Sequence, residues 1–402
     1  MIDQVGQAVG VLFFLLGTSS MKRISASSRL NRETAKLVRL ALALHASGSQ
    51  LESQSWQQQI NKLIAALFQR KQNETLEQAL DYLWTENPPA CDVLAQLIES
   101  YAESLVDAVE TDAVLIAIPL LVWSRYAIPT GQMSKLRLRE LHEHVMTHLL
   151  ASSARLAIAD VLFSPDQLPR GFTETRALLQ QLTQCALSGE HLHLDSTELI
   201  AAGEFVADVR YVFAAVVVDK GAPLFRWQQA EITQSEALQT WQLHTKATFS
   251  TMLPGCHFQS LLPNAFFSAW RKLEHEARAF SLRAAISYLC EMLNVVPADL
   301  RAVIAPFYDQ VLEEYRISFS LLRAPQVLHG VVWPLIGEES EESDIVSQIE
   351  HELSGLGKVV VLTTSMPMEF CDDCGTPLFP NADAELVHPE MPESDTALPQ
   401  LH

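Results

Sequence analysis

The stretch YRISFSLLRAPQVLHGVVWPL, residues 315–335, has the pattern of two neighbouring strands. In its first third apolar and polar residues alternate, which is typical of a strand with one buried face. The return strand is predicted over 327–335. Apolar residues at helical spacing over 345–353 then predict a helix, and the apolar run 358–362 predicts another strand. The order is therefore strand, strand, helix, strand.

The same order is predicted earlier in the chain. Residues 209–218 and 223–227 have the composition of a hairpin, and residues 257–262 that of a third strand. The helix between them begins near Ser235, because Thr233 and Glu236 are spaced as a capping box. We infer two related strand-strand-helix-strand modules of ferredoxin-like type, packed about a pseudo-twofold axis. The alternative is coincidence, since hairpin–helix–strand units are common.

The N-terminal part of the chain is predicted to be helical. Four amphipathic segments over 31–110 are joined by short links and favour an antiparallel bundle. Residues 112–130 are apolar on all sides, and their length favours a buried helix although the β-branched content favours a strand. Residues 133–150 predict another amphipathic helix, and 154–163 a strand or a short helix.

The sequence thus predicts an α+β protein with an N-terminal helical bundle, two related ferredoxin-like modules and a C-terminal half zinc-ribbon knuckle. We interpret residues 1–20 as a non-native or disordered extension, because Met21, followed by Lys22 and Arg23, resembles the true first residue of the protein. The apolar run 5–17 is also too short to cross a bilayer as a helix. A short membrane or export signal is the alternative. The predicted units are a helical domain (21–165), a first α+β module (166–275), a second (276–365), and the knuckle with a disordered tail (366–402).

Composition excludes some classes of function. The formal charge is −20, which opposes the positive surface that nucleic acid requires, so we expect no nucleic-acid partner. Apart from the run 5–17 we expect no membrane contact. Only two of the six cysteines are close in sequence, which argues against a disulfide scaffold and for a reducing compartment, hence a cytoplasmic protein.

The sharpest motif is FCDDCGTPL, residues 370–378. Two cysteines separated by two residues and followed by Gly form the turn that holds zinc in ribbon proteins, and a short hairpin is predicted after it. Where a ribbon has its second cysteine pair, this chain has His388. Cys371, Cys374 and His388 are therefore predicted to bind zinc, the candidates for a fourth ligand being Glu390, Glu393 and His402. A metal-free knuckle and a reducible dithiol are the alternatives.

Two histidine groups are weaker candidates. His144 and His148 are four residues apart on a predicted helix, with His142 nearby, so their rings could share a cation. Solvated surface histidines are the simpler interpretation. In the run HLHLD, residues 191–195, a strand would place His191, His193 and Asp195 on one side, as a metal or acid–base trio or as part of a plain loop.

No complete catalytic motif is present, so the catalytic residues are unknown and no cofactor-binding motif is predicted. If the two modules are related, Arg176, Arg283, Tyr211 and Tyr315 occupy equivalent places where a cleft between the modules would form. Arg at the start of a helix and Tyr in a strand are also ordinary structural choices.

Several stretches together resemble a known family: SSRLNRETAKLVRLALAL, WSRYAIPTG, DQLPRGF, GVVWPL and EFCDDCGTPLFP. They are similar to a bacterial family named as domain of unknown function family 2863, over nearly the whole chain from about Met21. The resemblance implies a bacterial cytoplasmic protein. It implies no activity, substrate or catalytic residue.

We therefore predict a non-catalytic binding or assembly protein with a structural zinc knuckle. Its partner would be an unidentified protein or small molecule, or a second copy of the chain in a homo-oligomer. The alternative is a metal-dependent or acid–base enzyme with its site in the cleft between the paired modules.

Overall fold

The computed structural model describes residues 30–106, 110–124, 127–195, 207–337 and 339–391. The predicted extension 1–20 lies outside these residues. The described chain is α+β, as predicted, and contains two main sheets that share one long helix.

The predicted N-terminal helices are confirmed. Asn31 caps the first helix through its Oδ1, which accepts hydrogen bonds from two backbone N–H groups of the first turn. The Asn87 Oδ1 caps the fourth helix by accepting a hydrogen bond from the Ala90 N–H, and Pro88 at its first position cannot extend the preceding helix. These helices are α1 (Arg32–His45), α2 (Gln50–Gln69), α3 (Asn73–Glu86) and α4 (Pro88–Glu103).

The predicted helix at 112–130 is wrong: its first part is strand β2 (Thr111–Trp123), which follows the short β1 (Ser104–Leu105). Strand β2 pairs antiparallel along its whole length with β6 (Ala207–Asp219). From Ala113 onward every β2 residue is buried, because helices cover both faces of the sheet. A strand buried on both faces has no alternation of polar and apolar residues, so periodicity cannot distinguish it from a buried helix.

Pro119 lies inside this central strand, and its lack of an N–H leaves no carbonyl of β6 unpaired. Its partner Tyr211 directs its own N–H and C=O to Phe163 on the far side of β6. The Pro119 carbonyl faces the opposite side of β2, where it accepts a hydrogen bond from the Leu261 N–H. On that side the neighbouring edge is interrupted between Ser260 and Asn264, so a residue without an N–H is tolerated.

Helices cover the first sheet on both faces. Helix α6 (Phe172–Ser188) and the start of α8 (Phe266–Leu293) pack on one face, with α1–α4 beyond them. Helices α5 (Lys135–His148) and α7 (Gln234–Met252) pack on the other. The capping box of Thr233 and Glu236 and the strand near 257 are confirmed. The predicted strand 223–227 is wrong, because Phe225 makes only an isolated bridge and a 3-10 helix begins at Arg226. The remaining elements of this part are β3 (Gly131–Gln132), β4 (Arg155–Ile158), β5 (Val161–Leu162), β7 (His257–Ser260) and β8 (Asn264–Ala265).

The second sheet has four main strands in the order β11 (His329–Pro334), β10 (Val311–Leu321), β9 (Leu300–Asp309) and β12 (Lys358–Val361), with β12 parallel to β9. The two predicted strands, the helix and the final strand are confirmed. The sequence analysis missed β9, which is again buried on both faces. The other elements are α9 (Ile345–Glu352) and β13 (Met366–Pro367), followed by the predicted hairpin β14 (Phe379–Pro380) and β15 (Leu386–Val387).

The two sheets differ in connectivity. In the first sheet the two long strands β2 and β6 are separated by helices α5 and α6, whereas in the second β9 turns directly into β10. The ferredoxin-like relation between the two units is therefore not confirmed. The core on one face of the first sheet takes residues from Leu37 to Ala284, on both sides of residues 165 and 275. The division into units at these residues stays a prediction, which limited proteolysis with mass spectrometry of the fragments would test.

Candidate metal centre

The β14–β15 hairpin brings His388 back beside the cysteine turn. Phe379 and Pro380 pair with Val387 and Leu386. In the connecting turn the Asn381 Oδ1 accepts hydrogen bonds from the backbone N–H groups of Asp383 and Glu385. An Asn side chain that bonds its own turn in this way fixes the hairpin register. His388, the residue after β15, is thereby placed opposite the turn formed by residues 371–376.

The cysteine turn is closed by its own backbone. The Cys371 N–H donates to the Thr376 carbonyl at 2.8 Å, and the Gly375 N–H donates to the Cys371 carbonyl at 2.8 Å. Gly375 has φ +73°, a conformation that residues with a Cβ rarely adopt. Gly is thus needed for the chain to turn directly after Cys374.

The three predicted ligand residues come together. The ligand atoms of Cys371, Cys374 and His388 all lie within 4.8 Å of one another, and within the described ranges no other three His, Cys, Asp or Glu residues do so. The Cys374 Sγ lies 3.3 Å from the His388 Nε2. A sulfur and a nitrogen bound tetrahedrally to one Zn²⁺ are about 3.5 Å apart, so the geometry fits that ion.

Hydrogen bonds lower the pKa of the Cys374 thiol to about 7. The largest cause is the Thr376 hydroxyl, 3.2 Å from the sulfur, followed by the Thr376 backbone N–H and then by His388. A large fraction of Cys374 is therefore thiolate at neutral pH. The thiolate is the form that binds a metal ion.

Arg316 anchors both ends of the knuckle to the second sheet. Its side chain is fully buried on β10 and forms an ion pair with Glu314 at 2.6 Å. The guanidinium donates to the carbonyls of Glu369 and Leu378, each at 2.7 Å, which flank the cysteine turn. It also lies over the Phe307 ring, 4.2 Å from the centroid. The position of the turn is thus fixed by a buried, charge-assisted network.

Close packing holds the hairpin on the same face of the sheet. A Cβ on Gly330 in β11 would overlap the ring of Phe379, so only Gly allows the hairpin to lie this close. The Ser318 hydroxyl, on the strand beside it, donates to the Pro380 carbonyl. Both positions face the knuckle from the sheet.

The structure places one of the three candidate fourth ligands. Glu390 is exposed, and its backbone N–H donates to the Val327 carbonyl at 2.9 Å, which fixes the chain just after His388. Glu393 and His402 lie outside the described residues.

The run HLHLD does not form the predicted trio. The His193 Nδ1 lies 2.6 Å from the Oδ2 of the buried Asp160, a residue that the sequence analysis did not single out. The His191 Nδ1 instead accepts the Ile158 N–H at 3.2 Å, and its ring lies edge-on to His142. His142 thus contacts His191, whereas His144 and His148 stack on each other.

The four residues considered for an enzyme cleft have separate structural roles. Arg176 donates to the carbonyls at the end of α4 and lies over the Tyr101 ring. Arg283 forms an ion pair with Glu352 at 2.8 Å. Tyr211 is buried in the core of the first sheet, and Tyr315 in that of the second.

Two buried arginines on strands, Arg210 and Arg316, were not predicted from the sequence. Each stands two residues after an acid on a strand, in the patterns DVR and EYR, and each pairs with that acid. Arg210 donates to the carbonyls of Ile128 and Pro129, as Arg316 does to those of the knuckle. An acid and an Arg two apart share one face of a strand, so this spacing inside an apolar strand was the available signal.

Comparisons with known proteins place the chain in a family. Within the described parts of the chain, no helix combines the length and apolar character needed to cross a membrane. Searches of curated proteins and of solved structures gave no match. A family model described as "Protein of unknown function (DUF2863)" matches residues 22–402, nearly the whole chain and the range that the resemblance predicted. The chain belongs to this family.

Proposed function

We propose that this chain is a non-catalytic binding or assembly protein of the bacterial cytoplasm, and that its knuckle is a half zinc ribbon holding one structural Zn²⁺. The observation that carries the proposal is the convergence of Cys371, Cys374 and His388 within 4.8 Å. Two thiolates and an imidazole are ligands that zinc prefers, and the Cys374 pKa of about 7 favours metal binding at neutral pH.

The role of the metal follows from where the knuckle is attached. The side chains of Arg316 and Ser318 donate hydrogen bonds to carbonyls of the knuckle segment, and Gly330 lets this segment pack close to the sheet. The metal would join the cysteine turn to His388. A bound ion would thus close the second end of a segment whose first end is fixed by the sheet. This is a structural role, because the three ligand residues belong to the same segment that the metal would stabilise.

The surface beside the knuckle has an exposed aromatic side chain, which favours a partner with a partly apolar surface. The Phe370 side chain is 50% exposed next to the ligand Cys371. Its ring also lies 5.1 Å from the Arg316 guanidinium, so it is held in place without being covered. The partner would be a protein or a small molecule, or a second copy of the chain. The charge of −20 argues against nucleic acid.

The first experiment measures metal by elemental mass spectrometry on full-length protein purified without a histidine tag or chelator. We expect the zinc content of Cys371→Ser/Cys374→Ser to be lower than that of the wild type by about one ion per chain. The matched control is Cys185→Ser/Cys290→Ser, which removes two half-buried thiols far from the motif in sequence.

The outcomes separate the alternatives. Zinc lost from the knuckle variant and kept by the control supports the proposal. A metal-free wild type with two free thiols would establish a metal-free knuckle, and a Cys371–Cys374 disulfide in mass spectra of alkylated protein would establish a dithiol. Either result would overturn the zinc assignment.

A further inference from the structure

Three histidines from two helices meet on the surface of the first sheet's outer helical layer. The His144 and His148 rings stack with centroids 5.8 Å apart. The His244 ring lies 4.4 Å from that of His148 and 6.4 Å from that of His144. The sequence suggested the first two as a pair, and nothing in it indicated His244.

The packing of α5 against α7 holds the three residues together. His144 and His148 are one turn apart on α5, and Val145 between them is fully buried. On α7, Trp241 and Thr245 are buried on either side of His244. The buried residues lock the two helices, so the backbone positions of the three histidines are fixed relative to one another.

The spacing of the ring centroids suits one metal ion, whereas the ring nitrogens of the three residues do not all lie within 4.8 Å of one another in the described conformation. Three imidazoles bound tetrahedrally to a Zn²⁺ at its usual Zn–N distance have ring centroids about 5 Å apart. The observed separations of 4.4, 5.8 and 6.4 Å bracket that value. The rings here lie stacked, with 14° between the planes of His148 and His244, so binding requires rotation of their side chains. Rotation of a partly exposed side chain takes only picoseconds to nanoseconds.

The surroundings favour a cation. His148 is the last residue of α5, where the helix dipole leaves a partial negative charge. The acids Glu140 and Glu143 lie on the same helix near His144, while Arg226 near His148 is the opposing charge. Burial, followed by the neighbouring His244, lowers the pKa of both His144 and His148. Both are therefore neutral near pH 7 and have a nitrogen lone pair to offer.

We propose that His144, His148 and His244 form a second metal site, separate from the knuckle, which takes a divalent ion that prefers imidazole, such as Zn²⁺, with water as the fourth ligand. The site is independent of the zinc knuckle, since the two share no residue. Imidazole ligands without thiolate suit zinc, copper, nickel and cobalt ions.

The test is a Co²⁺ titration of full-length Cys371→Ser/Cys374→Ser protein, followed by visible absorption and calorimetry. We expect about one equivalent to bind, with the weak visible bands of nitrogen and oxygen ligands and without the sulfur-to-cobalt charge-transfer band of a thiolate site. Competition with Zn²⁺ should remove the bands. In the wild type the charge-transfer band reports the knuckle, so the two sites fail or succeed separately.

The histidine substitutions decide which ligands bind. A histidine pair one turn apart can bind metal by itself, so the specific expectation concerns the third residue. His244→Ala should weaken Co²⁺ binding at least about tenfold, and His148→Ala/His244→Ala should abolish it. The control His45→Ala/His351→Ala removes two exposed histidines elsewhere and should leave binding unchanged. Binding that is absent from Cys371→Ser/Cys374→Ser, or unchanged by His244→Ala in a protein with an unaltered circular dichroism spectrum, would overturn the proposal.

Discussion

Arg316 is a buried charge whose removal would leave its hydrogen-bond and ion-pair partners unpaired. In Arg316→Met the Glu314 carboxylate and the two knuckle carbonyls lose their buried partner. Breaking a buried ion pair on one side costs about 3–5 kcal/mol, so the free energy of unfolding should fall by that order in urea denaturation. Arg139→Met is the control, because Arg139 is 78% exposed in its ion pair with Glu143. A loss as small as that of the control would contradict the anchoring role.

His329 should make stability depend on pH. Burial lowers its pKa from 6.5 to about 4, so the folded state prefers the neutral ring. Well above pH 6.5 the ring is neutral in both the folded and the unfolded state, and the free energy of unfolding has its full value. As the pH falls towards 4 the unfolded state takes up a proton that the folded state refuses, and up to about 3 kcal/mol is lost.

The variant His329→Gln isolates this contribution. Urea denaturation of wild type and variant at several pH values should give a constant difference in unfolding free energy above pH 6.5. Below it, the difference should shift by at most about 1.4 kcal/mol per pH unit in favour of the variant, since other acid-sensitive groups are common to both. Parallel curves down to pH 4 would show that His329 is not the titrating group.

At the residue scale the sequence predicted that Cys371, Cys374 and His388 come together, and their binding of zinc stays a prediction. Cys-x-x-Cys-Gly forces its own turn, and the hairpin signal in the following residues placed His388 opposite. It did not predict the contacts of Asp160 and His244, because tertiary packing forms them. Asp160 contacts His193, which is 33 residues away in the chain, and His244 on α7 contacts His148 on α5. No local spacing indicates contacts of this kind.

Gly330 tests how an element docks. In Gly330→Ala the added methyl group would overlap the Phe379 ring, so the β14–β15 hairpin must move from the sheet. Overpacking of this kind costs about 1–3 kcal/mol, and we expect that loss together with faster hydrogen exchange in residues 379–387. Gly355→Ala is the control, because nothing lies within 4 Å of its added Cβ. Equal exchange of the hairpin in both variants would show that it is not held by this contact.

At the element scale, success depended on whether the sequence of the element has a pattern of polar and apolar residues. The helices α1 to α4 and the strand β10 have one solvent-facing side or a clear polar alternation, and were predicted. Strands β2 and β9 are covered on both sides, so their sequences lack the period-two signal. The segment at 223–227 has strand composition, yet the chain there joins no sheet beyond a single bridge with Leu150.

The whole molecule is organised around α8. Its residues from Phe266 to Ala284 pack in the core of the first sheet, and residues from Leu282 to Leu289 in that of the second. The arginines Arg271 and Arg278 on the same helix bind Glu99 and Glu339, one in each half of the molecule. A continuous helix that packs in both cores should couple the two sheets mechanically.

Ala279→Pro breaks this helix near its middle. Proline removes a helical hydrogen bond and costs about 3 kcal/mol or more in a helix interior. We expect hydrogen exchange to show two unfolding transitions, one for peptides of β2 and β6 and another for peptides of β10 and β11. Ala279→Ser, which keeps the helix, should retain whatever coupling the wild type has. Coincident transitions in the proline variant would mean that α8 does not transmit stability between the sheets.

The pairing of β2 with β6 has a consequence for synthesis on the ribosome. The two strands begin at Thr111 and Ala207, so β2 emerges long before its full-length partner exists. At translation rates of about 5–20 residues per second the apolar strand waits on the order of 5–20 s. Only the two-residue strand β1 precedes it as a partner among the described strands, and its neighbours β7 and β8 follow still later. The nascent chain would therefore present an unpaired, aggregation-prone segment to chaperones, and its yield should depend on them more than the stability of the finished fold suggests.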